Sequence, residues 1–260
     1  MLRRGVGIVT GLRGLSVESA VVVDDRDVYE SVVRAAGASI SEFTSYPGVR
    51  VAIGGGLLRK PALVLVPPYP AALYEVVQEL IVFGVRRIVA ISKGYALRRS
   101  VPSSALLLPQ AAVPLDSVSR AAVRPGVPLI VARSLYNMLS DNVIRKGGTG
   151  FSAYYRGKSV VTVDSPRLAA AHMAEDVEAY AKYKDVIAVD TLTAPLYAIQ
   201  YHYPSLEAAS LIYIVGGFEA ASRLVEESID KYQSAQYRLR RTLTLLVLSV
   251  VESLTGEEAE

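Results

Sequence analysis

Charged and hydroxyl side chains stand directly after short apolar runs in this 260-residue chain. Val21 to Val23 leads into Asp24 and Asp25, Ile88 to Ile91 into Ser92, Lys93 and Gly94, Val160 to Val163 into Asp164, and Val186 to Val189 into Asp190 and Thr191. Carboxylates at such places can hold hydroxyl groups or move protons. Lysine and arginine can hold an anion. Asp190 is the candidate catalytic carboxylate, and Lys93, Ser92, Arg26, Asp164 and Thr191 are the candidate substrate-binding residues. Plainer readings stand beside these. Asp190, with Thr191 and Thr193 after it, has the composition of a helix N-cap. Lys93 equally suits a lysine paired with a carboxylate. Asp24, Asp25 and Asp27 offer hard oxygen ligands for a divalent cation, but their spacing is not that of a calcium loop. Acids at a helix start are favoured, and no metal site is assigned.

The chain has no cysteine, which removes disulfides, thiolate zinc sites and cysteine nucleophiles together. His172 and His202 are the only histidines and have no triad-like partner motif. The glycine runs Gly54 to Gly56 and Gly147-Gly148-Thr149-Gly150 could cradle a phosphate, but loops between elements are the favoured reading.

These residues need elements to position them. Apolar runs bounded by turn residues predict strands at Val21 to Val23, Ala62 to Val66, Ile88 to Ile91, Ala105 to Leu108, Leu129 to Ala132, Val160 to Val163, Val186 to Val189 and Leu211 to Val215. Ser39 to Ser45 and Val49 to Ile53, joined by Pro47-Gly48, predict a hairpin-like pair. Helical spacing predicts helices at Arg26 to Ala36, Ala71 to Phe83, Ser134 to Ile144 and Leu192 to Tyr203, and one that Asp164-Ser165-Pro166 starts, with an N-cap and a first-turn proline, and that runs through Leu168 to Tyr183. A last helical segment spans about 219–254, with a break near Ser234. Glu257 to Glu260 is read as a frayed tail. Alternating strands and helices imply one domain over 1–260: three-layer α/β/α, with a central mixed sheet. Ligands in such folds bind at the carboxyl ends of strands.

Two stretches resemble the nucleoside phosphorylase family. Glu79 to Ile91 is similar to its helix ending Glu-Leu that passes through Gly-Val and basic residues into a central strand. Ala188 to Ile199 is similar to its strand-to-helix turn, written Val-Glu-Met-Glu-x-x-x-Leu-Tyr. Pro114-Leu115-Asp116-Ser117 and the strand into Asp164 fall in the matching order, so the resemblance covers about Val21 to Gly217. It implies a nucleoside or nucleobase ligand, cleavage of a glycosidic bond, phosphate as a candidate co-substrate and no other cofactor. It implies an oligomer, either a homo-oligomer from dimer to hexamer or a hetero-oligomer with an active paralogue.

Position by position, the family's site is altered. Asp24-Asp25-Arg26-Asp27-Val28 stands for its Gly-Asp-Pro phosphate loop, with only Asp25 matching. Pro67-Pro68-Tyr69-Pro70 replaces a glycine-rich turn. Ala90 falls on the second phosphate arginine, Leu192 on the ribose-binding glutamate, and Gly216-Gly217 on the aspartate that assists purine departure. Asp190 matches the other family glutamate in type, Lys93 could restore a cation, and Arg26 could do so from a shifted position. Two functions follow: an enzyme cleaving a purine or pyrimidine nucleoside through altered phosphate and ribose sites, or a catalytically inactive paralogue kept as a structural or regulatory subunit.

Composition sets the remaining expectations. Net charge is +3 and the basic residues are scattered, so no nucleic-acid stripe is expected. Mean hydropathy is +0.31, yet the run Leu243 to Val251 is too short to span a membrane. With no signal-peptide pattern either, a cytoplasmic protein is expected. Absence of cysteine and scarcity of asparagine suit a thermophile. Tyr232 to Val251 reads either as a subunit-contact helix or as the last helix covering the sheet.

Overall fold

The structure is a computed structural model that describes residues 17–37, 41–43, 47–54, 58, 61–125, 127–144, 150–183, 185–222 and 229–255. Gly55, Gly56, Gly147, Gly148 and Thr149 and the tail at 257–260 lie outside the described residues, as do parts of the predicted 39–45 strand.

Strand β1 (Ser19–Val23) is buried at all five positions. It runs parallel to both β4 (Pro61–Leu65) and β5 (Arg87–Ala96). A strand with both faces covered needs apolar residues throughout, which is why Val21-Val22-Val23 is continuous rather than alternating. Helix α1 (Arg26–Ala36) follows and ends at Gly37, where φ is +105°. β2 (Ser41–Phe43) and β3 (Arg50–Ile53) pair antiparallel, and β3 continues the sheet onto β4. Helix α2 (Pro70–Val82) starts on a proline, which supplies helical φ where no N–H is needed. It buries Leu73, Val76, Val77 and Leu80, spaced as one helical face.

The second half supplies β6 (Leu106–Pro114), α3 (Ser117–Ala122), β7 (Leu129–Ile130) and α4 (Arg133–Met138), the last running into a π-helical turn at Leu139–Ile144. Then come β8 (Tyr154–Thr162), α5 (Pro166–His172), α6 (Ala174–Tyr180), β9 (Val186–Asp190), α7 (Thr193–His202), β10 (Glu207–Gly217) and α8 (Ile229–Thr255). The sheet order is β10-β6-β8-β9-β5-β1-β4-β3-β2, and β10 also pairs with β5. Strands β5, β9, β8, β6 and β10 therefore close a ring, from which β1, β4, β3 and β2 extend as an open sheet.

Cores lie on both faces. One packs α2 and α7 against the sheet. The other packs α1, α4 and α8, with Leu243, Leu246, Val247, Val250 and Val251 of α8 buried. A smaller cluster lies under α5 and α6. This is the expected α/β arrangement with a mixed sheet and helices on both faces, and α8 covers the sheet. No described helix is long and apolar enough to cross a membrane.

Several boundaries differ from the sequence reading. β5 does not stop at Ile91: Ser92, Lys93 and Gly94 lie inside it, paired with Ile212, Tyr213 and Ile214 of β10. β6 continues past Leu108 through Pro109, accommodated by register shifts on either side of that proline. β8 and β10 also begin earlier than their apolar runs, because the ring pairs their polar stretches. The 168–183 helix is two helices joined at Met173, whose φ of −130° is not helical. Helix α8 runs unbroken through Ser234, and it is preceded by a short 3-10 turn at Phe218–Ser222.

Ser104 adopts φ +67°, in a turn closed by Ala105 N–H donating to Pro102 O at 3.3 Å. Ser104 is the third residue of this turn, where a type II turn requires positive φ and glycine is suited. Ser104→Gly is expected to stabilise the protein by about 0.5–1 kcal/mol, read as a higher denaturant midpoint.

Candidate functional site

The antiparallel register that sets Tyr95 of β5 opposite Val189 of β9 brings Gly94 beside Asp190. Asp190 is fully buried. Its Oδ1 accepts from Thr162 Oγ1 at 2.6 Å. Its Oδ2 accepts from Leu192 N at 3.2 Å, Thr193 N at 2.9 Å and Thr193 Oγ1 at 2.5 Å. Each hydroxyl has one proton. With its proton on Asp190, Thr162 Oγ1 accepts from Ala194 N at 3.0 Å, and Thr193 Oγ1 meets Ser210 Oγ at 3.0 Å as the acceptor. Burial pushes the Asp190 carboxyl above its ordinary range, against the pull of Thr162, Thr193 and the two N–H groups. The N-cap position of α7 is Leu192, two residues on, so this carboxylate holds the turn into α7 and is the pin joining β8, β9 and β10. Thr191, 4% exposed, follows it in the turn.

The other half of the site lies where β1 and β5 run side by side. Asp25 caps α1: its Oδ1 accepts from Asp27 N at 2.9 Å and Val28 N at 3.0 Å. Its Oδ2 takes Lys93 Nζ at 2.5 Å. The backbone N–H of Lys93 donates to Asp24 Oδ2 at 3.1 Å, so Lys93 ties both aspartates to β5. Burial alone would raise the Asp25 carboxyl, but Lys93 and the Val28 and Asp27 N–H groups outweigh it and hold it below its ordinary value. Asp24 goes the other way. Burial pushes it to about 6, with Lys93 only partly offsetting. Ser92, 2% exposed, carries a hydroxyl without a hydrogen-bond partner among the described residues.

Arg26 does not join this group. It is largely exposed and pairs with Glu30 at 2.8 Å along its own helix. Arg240 of α8 is engaged with Asp27. Among the described residues, the cations at these strand ends are therefore paired. No group of three carboxylates or histidines among the described residues has the arrangement of a metal site.

Asp164 is exposed and accepts from Ser117 N at 3.1 Å and Ser117 Oγ at 2.9 Å, tying the end of β8 to the start of α3. Asp116 beside it caps α3 through Ser119 N at 2.7 Å. Burial raises Asp116 to about 6, the Ser119 bonds offset part of this, and the Asp164 and Asp190 charges add to the rise.

The structure thus brings together Asp24, Asp25 and Lys93 as one group and Asp190 with Thr191 as another next to Gly94, while Ser92 precedes Lys93 in β5 without a hydrogen bond to either aspartate. Arg26 and Asp164 stand apart. Leu192 and Ala90 are fully buried in the α2–α7 core. Thr162, Ser210 and the role of Asp24 beside Lys93 were not found from sequence. Thr193 was signalled by its three-residue spacing from Asp190.

The Asp24 shift has a pH consequence. Its folded value of about 6 lies above the ordinary 3.8. The stability it contributes is present below 3.8 and is lost as pH rises through 6. Asp24→Asn cannot ionise and keeps an acceptor for the Lys93 N–H. It is expected to be about 1–3 kcal/mol more stable than the parent at pH 8, an advantage that shrinks towards pH 4. Melting temperatures of both proteins at the two pH values check this.

The chain has a nucleoside phosphorylase-like fold. It is similar to uridine phosphorylase from Vibrio fischeri ES114 complexed with 6-hydroxy-1-naphthoic acid, at TM-score 0.76 and 16% identity over 93% of each chain. It is similar to the same organism's uridine phosphorylase in a second structure, at TM-score 0.76 and 15% identity, over 93% of this chain and 94% of that one. It is also similar to purine nucleoside phosphorylase from Toxoplasma gondii in complex with immucillin-H, at TM-score 0.73 and 14% identity over 96% of each chain. No family model and no curated protein matches the sequence.

Proposed function

We propose that this chain takes a purine or pyrimidine nucleoside at the ends of β1, β5 and β9 and handles it without inorganic phosphate. The observation that supports this is the Lys93–Asp25 ion pair beside Asp24. A cation already held by one carboxylate and flanked by another offers little to a phosphate dianion. Each close like-charge contact opposes entry by about 4 kcal/mol at an effective dielectric of about 20. A polar group with protons to donate suits these aspartates better. Phosphorolysis needs a bound phosphate as nucleophile, so glycosidic cleavage at this site would use water.

A second reading is favoured by the Asp190 geometry. The candidate catalytic carboxylate has both oxygens committed to the fold, as a non-catalytic paralogue could retain. That reading carries an oligomer with an active relative, whereas the first carries a homo-oligomer. Light scattering of the purified chain, alone and with such a relative, separates them.

Calorimetric titration with a panel of purine and pyrimidine nucleosides, with and without millimolar phosphate, tests the proposal. Binding of at least one nucleoside, undiminished in Arg26→Ala and unaffected by phosphate, is expected. No binding across the panel overturns it.

A further inference from the structure

We propose that a groove between α3 and α6, sharing no residue with the strand ends above, is a second ligand site for an aromatic anion of the mononucleotide type. The groove has a volume of about 720 Å³ and is lined by Leu115, Arg120, Met173, Tyr180, Lys182 and Tyr183. That is the size range of small-molecule sites, about 300–1,000 Å³. Asp176 also lines it, so its formal charge is +1. Arg120 comes from α3, and Lys182 from the segment between α6 and β9. Neither side chain forms an ion pair or hydrogen bond among the described residues. Two uncommitted cations at one groove suit an anion carrying more than one acceptor oxygen.

The aromatic half of the ligand follows from the tyrosines. Tyr180 and Tyr183 have ring centroids 6.2 Å apart at 40°. Tyr183 is 65% exposed, a large ring surface left to solvent at the mouth of the groove. A planar base stacked there would cover it.

Both walls are fixed from behind. Arg98 donates from Nη2 to Ala181 O at 2.9 Å and Tyr183 O at 2.7 Å, and from Nε to Val186 O at 3.1 Å. It therefore holds the backbone on both sides of Lys182. On the facing wall, Asp116 caps α3 and Asp164 holds Ser117. Little backbone ordering remains to oppose binding.

The test is calorimetric titration of the full chain with adenosine 5′-monophosphate, adenosine and inorganic phosphate. The monophosphate is expected to bind at least about tenfold more tightly than either other probe. Arg120→Ser with Lys182→Ser should weaken it about 10- to 100-fold. Tyr183→Ser should weaken it about tenfold, and Arg120→Lys with Lys182→Arg should restore most of the loss. All these side chains are exposed or half-buried, and unchanged melting curves confirm folding. Lys93→Ala should leave monophosphate binding intact, which separates this groove from the strand-end site. No monophosphate binding, equal affinity for adenosine, binding undiminished in the double serine variant, or loss in Lys93→Ala would each overturn the proposal.

Discussion

Asp190→Ala is expected to destabilise the protein by about 3–5 kcal/mol. The substitution removes the acceptor that holds the turn from β9 into α7. It also strands two backbone N–H groups and two hydroxyl protons in a fully buried site, where each unmade hydrogen bond costs about 1–3 kcal/mol. Relief of the buried charge, whose carboxyl is held above its ordinary range by burial, offsets part of this. Asp190→Asn keeps one acceptor oxygen and should lose about half as much. Urea denaturation measures both. The consequence for function is direct: lost turnover in Asp190→Ala would not identify a catalytic carboxylate, because the fold fails with it. Thr162→Val breaks one bond of the same network and serves as the control. Equal stability of Asp190→Ala and the parent would contradict the assignment of Asp190 as a pin of the sheet.

Gly94→Ala is the second large effect. A Cβ at Gly94 would lie 2.4 Å from Ile212 Cγ2 and 2.9 Å from Val189 O. The isoleucine branch is close to its own backbone and the oxygen belongs to β9, so neither can give way without moving a strand. This is where β5 passes from the open sheet into the ring, and the backbones of β5 and β9 must stay close. Overpacking of this kind costs about 1–3 kcal/mol, and a backbone clash puts this site at or above the upper end. A lowered midpoint is expected, with faster amide exchange along 93–96 and 188–190. Gly216→Ala, at a β10 glycine where an added Cβ meets nothing within 4 Å, should cost far less.

Much of the fold was legible because the open sheet buries both faces of its strands. Val21 to Val23 and Ile88 to Ile91 read as continuous apolar runs for that reason. The rule fails where strands enter the ring. Ser92-Lys93-Gly94, Pro109 and the Tyr154 to Ser159 stretch are polar or turn-like in sequence, and only pairing with distant strands makes them β. Caps were legible in the same local way: the Asp190–Thr193 spacing is a helix start whether or not anything binds there. The partners that give these residues their character are not local. Lys93 meets Asp25 across 68 positions of sequence, and Thr162 meets Asp190 across 28. No periodicity shows which cation a carboxylate will find. The expectation of anion binding at Lys93 therefore met an ion pair, and Arg26 turned along its own helix to Glu30.

The most direct test of a phosphate-independent site is product analysis. The full chain is incubated with the nucleoside that binds it best, with and without phosphate, and free base and pentose 1-phosphate are quantified. The same amount of base under both conditions, with no pentose 1-phosphate, is the expected result. Pentose 1-phosphate formed in proportion to added phosphate, and lost in Lys93→Ala, would contradict it.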